Sequence, residues 1–215
     1  MKKLITIALT LLSISACAET RPQEVLDYWF GSLKTADDYP EQKSKIWFGG
    51  GVEIDNEIRD KFELLVIAAA QGELNAWTES PQGRLALILL LDQFPRNIYR
   101  NAPQAFAFDT LAQKLTLEGL PDAEALLPIQ RVFLYMPLEH AENVDLQILS
   151  VAAFNALIPL VPSAQKATFV SFADYAQRHY AIIARFGRFP HRNAILDRPS
   201  TPEEIEFLKG PHSSF

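Results

Sequence analysis

Nine consecutive residues, Arg185-Phe186-Gly187-Arg188-Phe189-Pro190-His191-Arg192-Asn193, hold three arginines, a histidine and an asparagine. A guanidinium is a planar fork of donors matched to carboxylates and phosphates. A shorter echo, Asp92-Gln93-Phe94-Pro95-Arg96-Asn97, lies upstream. The chemistry these segments suggest is capture of a small anion between two walls. Asp92, Arg96 and Asn97 would form one wall, and Arg185, Arg188, Arg192 and Asn193 the other, with His191 as an acid–base group. Structural uses compete with this reading. Arginines after a helix end also satisfy its last carbonyls and pair with nearby acids. Asp92 and Arg96 are spaced to share one helix face as an ordinary ion pair.

Glu139-His140, with Glu142 close by, is a second cluster. A carboxylate beside an imidazole can act as orienter and base. Helix neighbours point about 100° apart, however, so both do not easily face one small site. The competing use is a carboxylate placed at a helix start. His179 falls in the row Phe172, Tyr175, His179, Ile182, Ile183, Phe186, on or near an apolar helix face. It is either a hydrogen-bonded core histidine or a pocket-lining one. No HExxH, CxxC or Glu-x-x-His pattern is present, so no metal is expected. Nor is there a Gly-x-Ser-x-Gly elbow, a P-loop or a dinucleotide fingerprint, and no cofactor is expected. Whether the chain is an enzyme stays open at this level.

The chain has 215 residues, 48% hydrophobic and 21% charged, with a net charge of −6. That suits one globular domain with a sizeable core. An acidic chain lacks the basic face that nucleic acid demands, whereas a local basic pocket stays compatible with a small anion.

The N-terminus runs Met1-Lys2-Lys3, then an apolar stretch from Leu4 to Ile14, then Ser15-Ala16-Cys17. This is the pattern of a secretory signal over residues 1–16, too short for a good membrane span. Ile14-Ser15-Ala16-Cys17 resembles the bacterial lipobox, which makes Cys17 the expected lipidated N-terminus. Ordinary cleavage after Ala18 is the alternative and would release a soluble periplasmic protein. With Ala18 after the cysteine, the lipoprotein resemblance implies the outer membrane, facing the periplasm, with contact only through the lipid anchor. Loss of Lys2 and Lys3 leaves 18 basic against 26 acidic residues, a balance of −8.

Helical periodicity recurs along the rest of the chain, and no alternating strand pattern stands out. The spacing predicts helices over Pro22–Phe30, from Ile54 to about Gly72, from Ser80-Pro81 to a stop or bend at Pro95, and over Pro103–Glu118. Further helices are expected over Ile129–Met136 and Asp145–Ile158, with Pro137 to His140 between them. The longest is expected from a Ser163 cap to Phe186, closed by Gly187. Thr201-Pro202-Glu203-Glu204 is a capping box that opens a last short helix. The expectation is an all-α single domain over 22–210, an irregular antiparallel bundle of about eight to nine helices, with a frayed tail over 211–215.

Five ordered motifs add a resemblance. They are Asp27-Tyr28-Trp29-Phe30-Gly31, Trp47-Phe48, Leu91-Asp92-Gln93-Phe94-Pro95-Arg96-Asn97, Phe133-Leu134-Tyr135-Met136-Pro137-Leu138-Glu139-His140, and Arg185 to Asn193. Together they resemble the bacterial domain of unknown function 924 family over residues 22 to 210. The resemblance implies a TPR-like all-helical fold and carries no activity with it. Two functions remain in view. One is a binding protein or enzyme for a small anion in an Arg/His-lined pocket. The other is a TPR-like module for a peptide or protein partner, which would display Tyr28, Trp29 and Trp47 along an open groove.

Overall fold

The computed structural model describes residues 22–214. The signal segment 1–16 and the lipidation site Cys17 lie outside the described residues. Within them every regular element is helical. Nine α-helices are described: α1 (22–30), α2 (Val52–Ala70), α3 (Pro81–Ile88), α4 (Phe94–Ile98), α5 (Asp109–Gly119), α6 (Pro128–Glu139), α7 (Val144–Leu157), α8 (Lys166–Phe186) and α9 (Pro202–Phe207).

Local chemistry explains several of the boundaries. Ser80 caps α3 by accepting the Gly83 N–H at 3.1 Å, and Pro81 fills the first turn. Thr201 and Glu204 form the reciprocal capping box of α9. Gly187 leaves α8 at φ 69°, a left-handed conformation that costs glycine little. Asn143 caps α7 by accepting the amides of Asp145 and Leu146.

Three expectations are corrected. Of the stop or bend expected at Pro95, the stop does not occur, because a single π turn, Leu89–Gln93, joins α3 to α4. There the Phe94 N–H reaches back to the Leu89 carbonyl, five residues away. The wider turn makes room for a proline ring that would clash with the carbonyl four residues back in an α-helix. Pro137 likewise sits inside α6. The Thr116 hydroxyl donates to the Leu134 carbonyl at 2.9 Å, one residue past the Phe133 carbonyl that Pro137, with no N–H, leaves without its helix donor. Finally, α8 starts at Lys166 with no side-chain cap, so Ser163 does not have the expected role.

The core is aromatic. Trp29 and Phe30 of α1 meet Phe133 of α6 at ring distances of 5.5 and 5.4 Å. Phe62 of α2 and Phe94 of α4 pack at 4.9 Å. All five rings are buried, and each contributes roughly 1.5–3 kcal/mol by leaving water. Trp47 joins them and donates its indole N–H to the Trp29 carbonyl at 2.9 Å. Two of the three aromatics that an open groove would display, Trp29 and Trp47, are therefore core residues. Tyr28 is half-buried and packs edge-on against Phe62 at 5.1 Å. A smaller apolar cluster, Ile182, Ile183 and Phe189, closes the far end of α8 against Phe186 and Phe207.

Candidate functional site

A cavity of about 680 Å³ opens between four pieces of chain. Its walls are the turn Lys45–Gly49, the far half of the α3–α4 helix, the end of α6, and α8. The final turn also contributes. His212 and Ser214 line the mouth, and buried Ser213 donates to the Leu208 carbonyl at 3.2 Å. Of residues 211–214 only Ser213 is buried, and the other three are exposed.

The π turn sets the polar floor. It aims Asp92 inward, where its side chain has no solvent exposure. A buried carboxylate needs partners. The His140 Nδ1 lies 2.8 Å from one oxygen and 3.0 Å from the other. The Gln93 amide donates to Asp92, and the Arg96 guanidinium sits 3.2 Å away. Burial pushes the Asp92 carboxyl up, but Arg96, His140 and Gln93 outweigh it and hold the group well below the usual carboxylate range. Burial and then the Arg96 charge push His140 down from 6.5, so the ring is neutral at pH 7. An ionised Asp92 only accepts, so His140 Nδ1 must carry the proton. Its Nε2 is then a bare lone pair, the atom a general base uses.

A second carboxylate–histidine pair lies alongside. Glu139 Oε1 is 2.9 Å from His179 Nδ1, which also faces the Tyr175 carbonyl at 2.9 Å. The rings of His140 and His179 are 6.2 Å apart. The adjacent residues Glu139 and His140 thus do not pair with each other. Each reaches a different partner, as their angular separation on a helix requires. Both nevertheless line the cavity, as does His179.

Arginines complete the wall. Arg96 forks onto Asp109 of α5 at 2.9 and 3.0 Å. Arg100 forks onto Asp55 of α2 at 2.7 Å twice, and Asn97 donates to the same carboxylate at 2.9 Å. Burial raises the Asp55 pKa, but the Arg100 and Asn97 hydrogen bonds bring it below its ordinary value. Gly50 (φ 59°) lets the Arg100 guanidinium approach, since a Cβ there would lie 3.0 Å from Nη2. Arg178 pairs with Asp174 and stands 3.2 Å from His212 at the mouth. Trp47, Phe48, Phe172 and Tyr175 supply the aromatic part of the lining, with Phe48 and Phe172 at 6.0 Å and the Arg178 guanidinium 5.3 Å from the Tyr175 ring.

The Arg185–Asn193 segment is placed otherwise. None of Arg185, Arg188, His191, Arg192 and Asn193 lines this cavity. Arg185 bonds Glu203 at 3.0 and 2.9 Å on the surface. Arg188 forks onto Glu204 at 2.6 and 2.8 Å, and Asn193 reaches Ser200 at 3.1 Å. The hydrogen bond from Arg188 is the main reason that Glu204 falls to about 2. These contacts fasten α9 to the exit of α8. Burial pushes His191 down to about 4.

Arg192 alone turns towards the site. It is buried between the rings of Phe106 and Phe189, 4.6 and 4.4 Å from their centres. It contacts Asp109 at 3.3 Å and the His140 carbonyl at 3.2 Å. Burial lowers its pKa to about 10. The two Phe-Pro segments thus meet through a shared carboxylate, Asp109, behind the cavity.

Sequence reasoning missed Asp55, Asp109, Arg100 and Arg178. The two aspartates sit in the first turns of α2 and α5, where an acid reads as an ordinary dipole partner. Among the described residues no group of three or more His, Cys, Asp and Glu is arranged to hold a metal ion.

Comparison with known proteins gives one sequence family and one solved structure. The profile of a bacterial protein family of unknown function, DUF924, matches residues 25–212. The structure of the protein of unknown function ATU0120 from Agrobacterium tumefaciens is similar, with a TM-score of 0.74 and 34% identity. That match covers 90% of this chain and 99% of the other. No curated protein matches the chain. A profile spanning nearly all of the described residues and a neighbour of the same helical fold agree, and the chain belongs to the DUF924 family.

Proposed function

We propose that this protein binds a small anionic molecule in the cavity between α4, α6 and α8, and that the Asp92–His140 pair accepts a proton there. The observation that carries the reading is convergence. Arg96, Arg100, Arg178 and His140 come from α4, α8 and the turns after α4 and α6, and all border one 680 Å³ space. Its volume lies in the range of small-molecule sites, and its lining combines charged and amide side chains with aromatic ones. Buried carboxylates hold Arg96 and His140 in fixed orientations, and such preorganisation is what recognition and proton transfer need.

Thermal unfolding with and without small carboxylates and phosphates tests the binding. The expected result is stabilisation of the wild type by at least one of these anions. The stabilisation should fall in Arg100→Gln and Arg178→Gln and persist in Arg185→Gln, whose guanidinium lies outside the cavity. Failure of every anion, or equal loss in Arg185→Gln, overturns the reading.

The proposed location is the bacterial envelope, with the chain exported by residues 1–16 and lipidated at Cys17. Its support is the basic, apolar and small-residue pattern ending in a lone cysteine. Palmitate labelling of the wild type, lost in Cys17→Ser, is the expected outcome. An unlabelled wild type would remove the anchor from the proposal.

A further inference from the structure

The polar groups of the cavity are not interchangeable, because buried carboxylates have already used many of their donors. Gln93 turns its amide nitrogen onto Asp92, and Asn97 turns its own onto Asp55. His140 gives its Nδ1 proton to Asp92. An ionised carboxylate accepts and never donates, so these three orientations are fixed by charge. The atoms left over are Gln93 Oε1, Asn97 Oδ1 and His140 Nε2, which are all acceptors. The three residues line the cavity together.

The cations are constrained in a different way. Arg96 faces Asp92 and Asp109, Arg100 faces Asp55, and Arg178 faces Asp174. Each guanidinium keeps unused N–H donors, but its charge is already matched. Such a wall suits one planar monoanion better than a phosphate dianion, whose second charge would meet this ring of carboxylates. Trp47, Phe48 and Phe172, with rings set at 76° and 45° to one another, offer an apolar aromatic surface beside it.

We infer that the ligand is a monocarboxylate that also carries a hydroxyl or amino donor and an apolar, ring-sized body. The carboxylate takes the free donors of Arg100 and Arg178 at the mouth. The O–H or N–H donates to His140 Nε2 or to the amide oxygens on the floor. The body lies against Phe48 and Phe172. This rests on the small-anion reading above and narrows it to the hydroxy- or amino-acid class.

Four probes separate the parts: phenyllactate, phenylacetate without the donor, 2-phenylethanol without the carboxylate, and inorganic phosphate. Calorimetric titration of the wild-type protein is expected to rank phenyllactate first. It should bind about tenfold tighter than phenylacetate, the effect of one added hydrogen bond to a buried acceptor. His140→Gln keeps a donor for Asp92 and an acceptor for the ligand, so it should keep that preference, and His140→Leu should lose it. A nitrogen NMR signal of bare His140 Nε2 should move with phenyllactate and stay with phenylacetate, which reads the contact without any variant. Equal affinity of phenyllactate and phenylacetate overturns the donor assignment and leaves the anion pocket standing. Phosphate as the strongest binder overturns the monocarboxylate class alone. Binding of 2-phenylethanol as tight as phenyllactate overturns the carboxylate and with it the anion reading. No binding by any probe at millimolar concentration overturns both.

Discussion

His140 Nδ1 stands 2.8 Å from Asp92 Oδ1, across 48 residues of sequence, and the carboxylate at the centre of that contact sees no solvent. The pair joins the end of α6 to the π turn before α4. It also fixes which nitrogen of His140 is bare. One contact thus ties the packing of two helices to the chemistry of the cavity.

Removing the carboxylate should cost stability. Asp92→Ala would leave Arg96 with Asp109, which Arg192 also contacts, and leave the His140 N–H and Gln93 amide without their acceptor. Loss of one partner of a buried ionic group costs about 3–5 kcal/mol. Urea unfolding should show a midpoint shift of that size. A change below about 1 kcal/mol would mean that solvent reaches Asp92 and the burial argument fails.

Acidification should weaken the fold in two stages. His191 ionises at about 4 in the folded chain and near 6.5 when unfolded, so between these values the unfolded state binds more protons. His140 is shifted in the same direction. The stability both provide is complete above pH 6.5 and is lost as pH falls towards their folded values. Asp92, held low, adds a second loss only below the ordinary carboxylate range. Unfolding free energy followed from pH 8 to pH 4 should fall mainly below pH 6.5, and His191→Gln should flatten part of that slope.

The arginines should divide into two groups by location. Arg192→Ala removes a buried cation that two rings and Asp109 enclose, with an expected cost of about 3 kcal/mol. Arg185→Ala breaks an exposed pair with Glu203 and should stay within about 0.5 kcal/mol. Comparable denaturation curves for the two variants would contradict this division.

Gly83 should tolerate no side chain. A Cβ there would come within 2.2 Å of the Trp77 carbonyl, which is backbone and cannot step aside cheaply. Gly83→Ala should therefore cost about 3 kcal/mol, near the top of the overpacking range. Gly187→Ala meets open space and bears only the left-handed backbone strain, about 1 kcal/mol. Thermal melts of the two variants rank them, and the reverse order would refute the steric argument.

Much of the fold was legible because its signals are local. Ser80-Pro81, the Thr201–Glu204 box and Gly187 each specify a helix end with nearby atoms. Pro95 and Pro137 misled because proline reads as a helix boundary, whereas a π turn makes room for Pro95 and Pro137 sits inside α6. The floor of the cavity was partly legible, since Asp92, Arg96, Asn97, Glu139 and His140 stand out by type and spacing. The Arg185–Asn193 cluster misled for an electrostatic reason. A count of arginines does not reveal that Glu203, Glu204 and Asp109 stand opposite them. Asp55 and Asp109 were hidden among the acids that begin many helices.

The π turn at Leu89–Gln93 holds one residue more than an α turn that rotates the chain by about the same angle. Excising one apolar residue from it would let the segment close as a plain α-helix, with Arg96, Asn97 and Arg100 still on about their present faces. The loss would fall on Pro95, whose ring would then meet the carbonyl four residues back. The extra residue is thus the spacer that lets a proline stand inside the helix that carries the cavity's arginines.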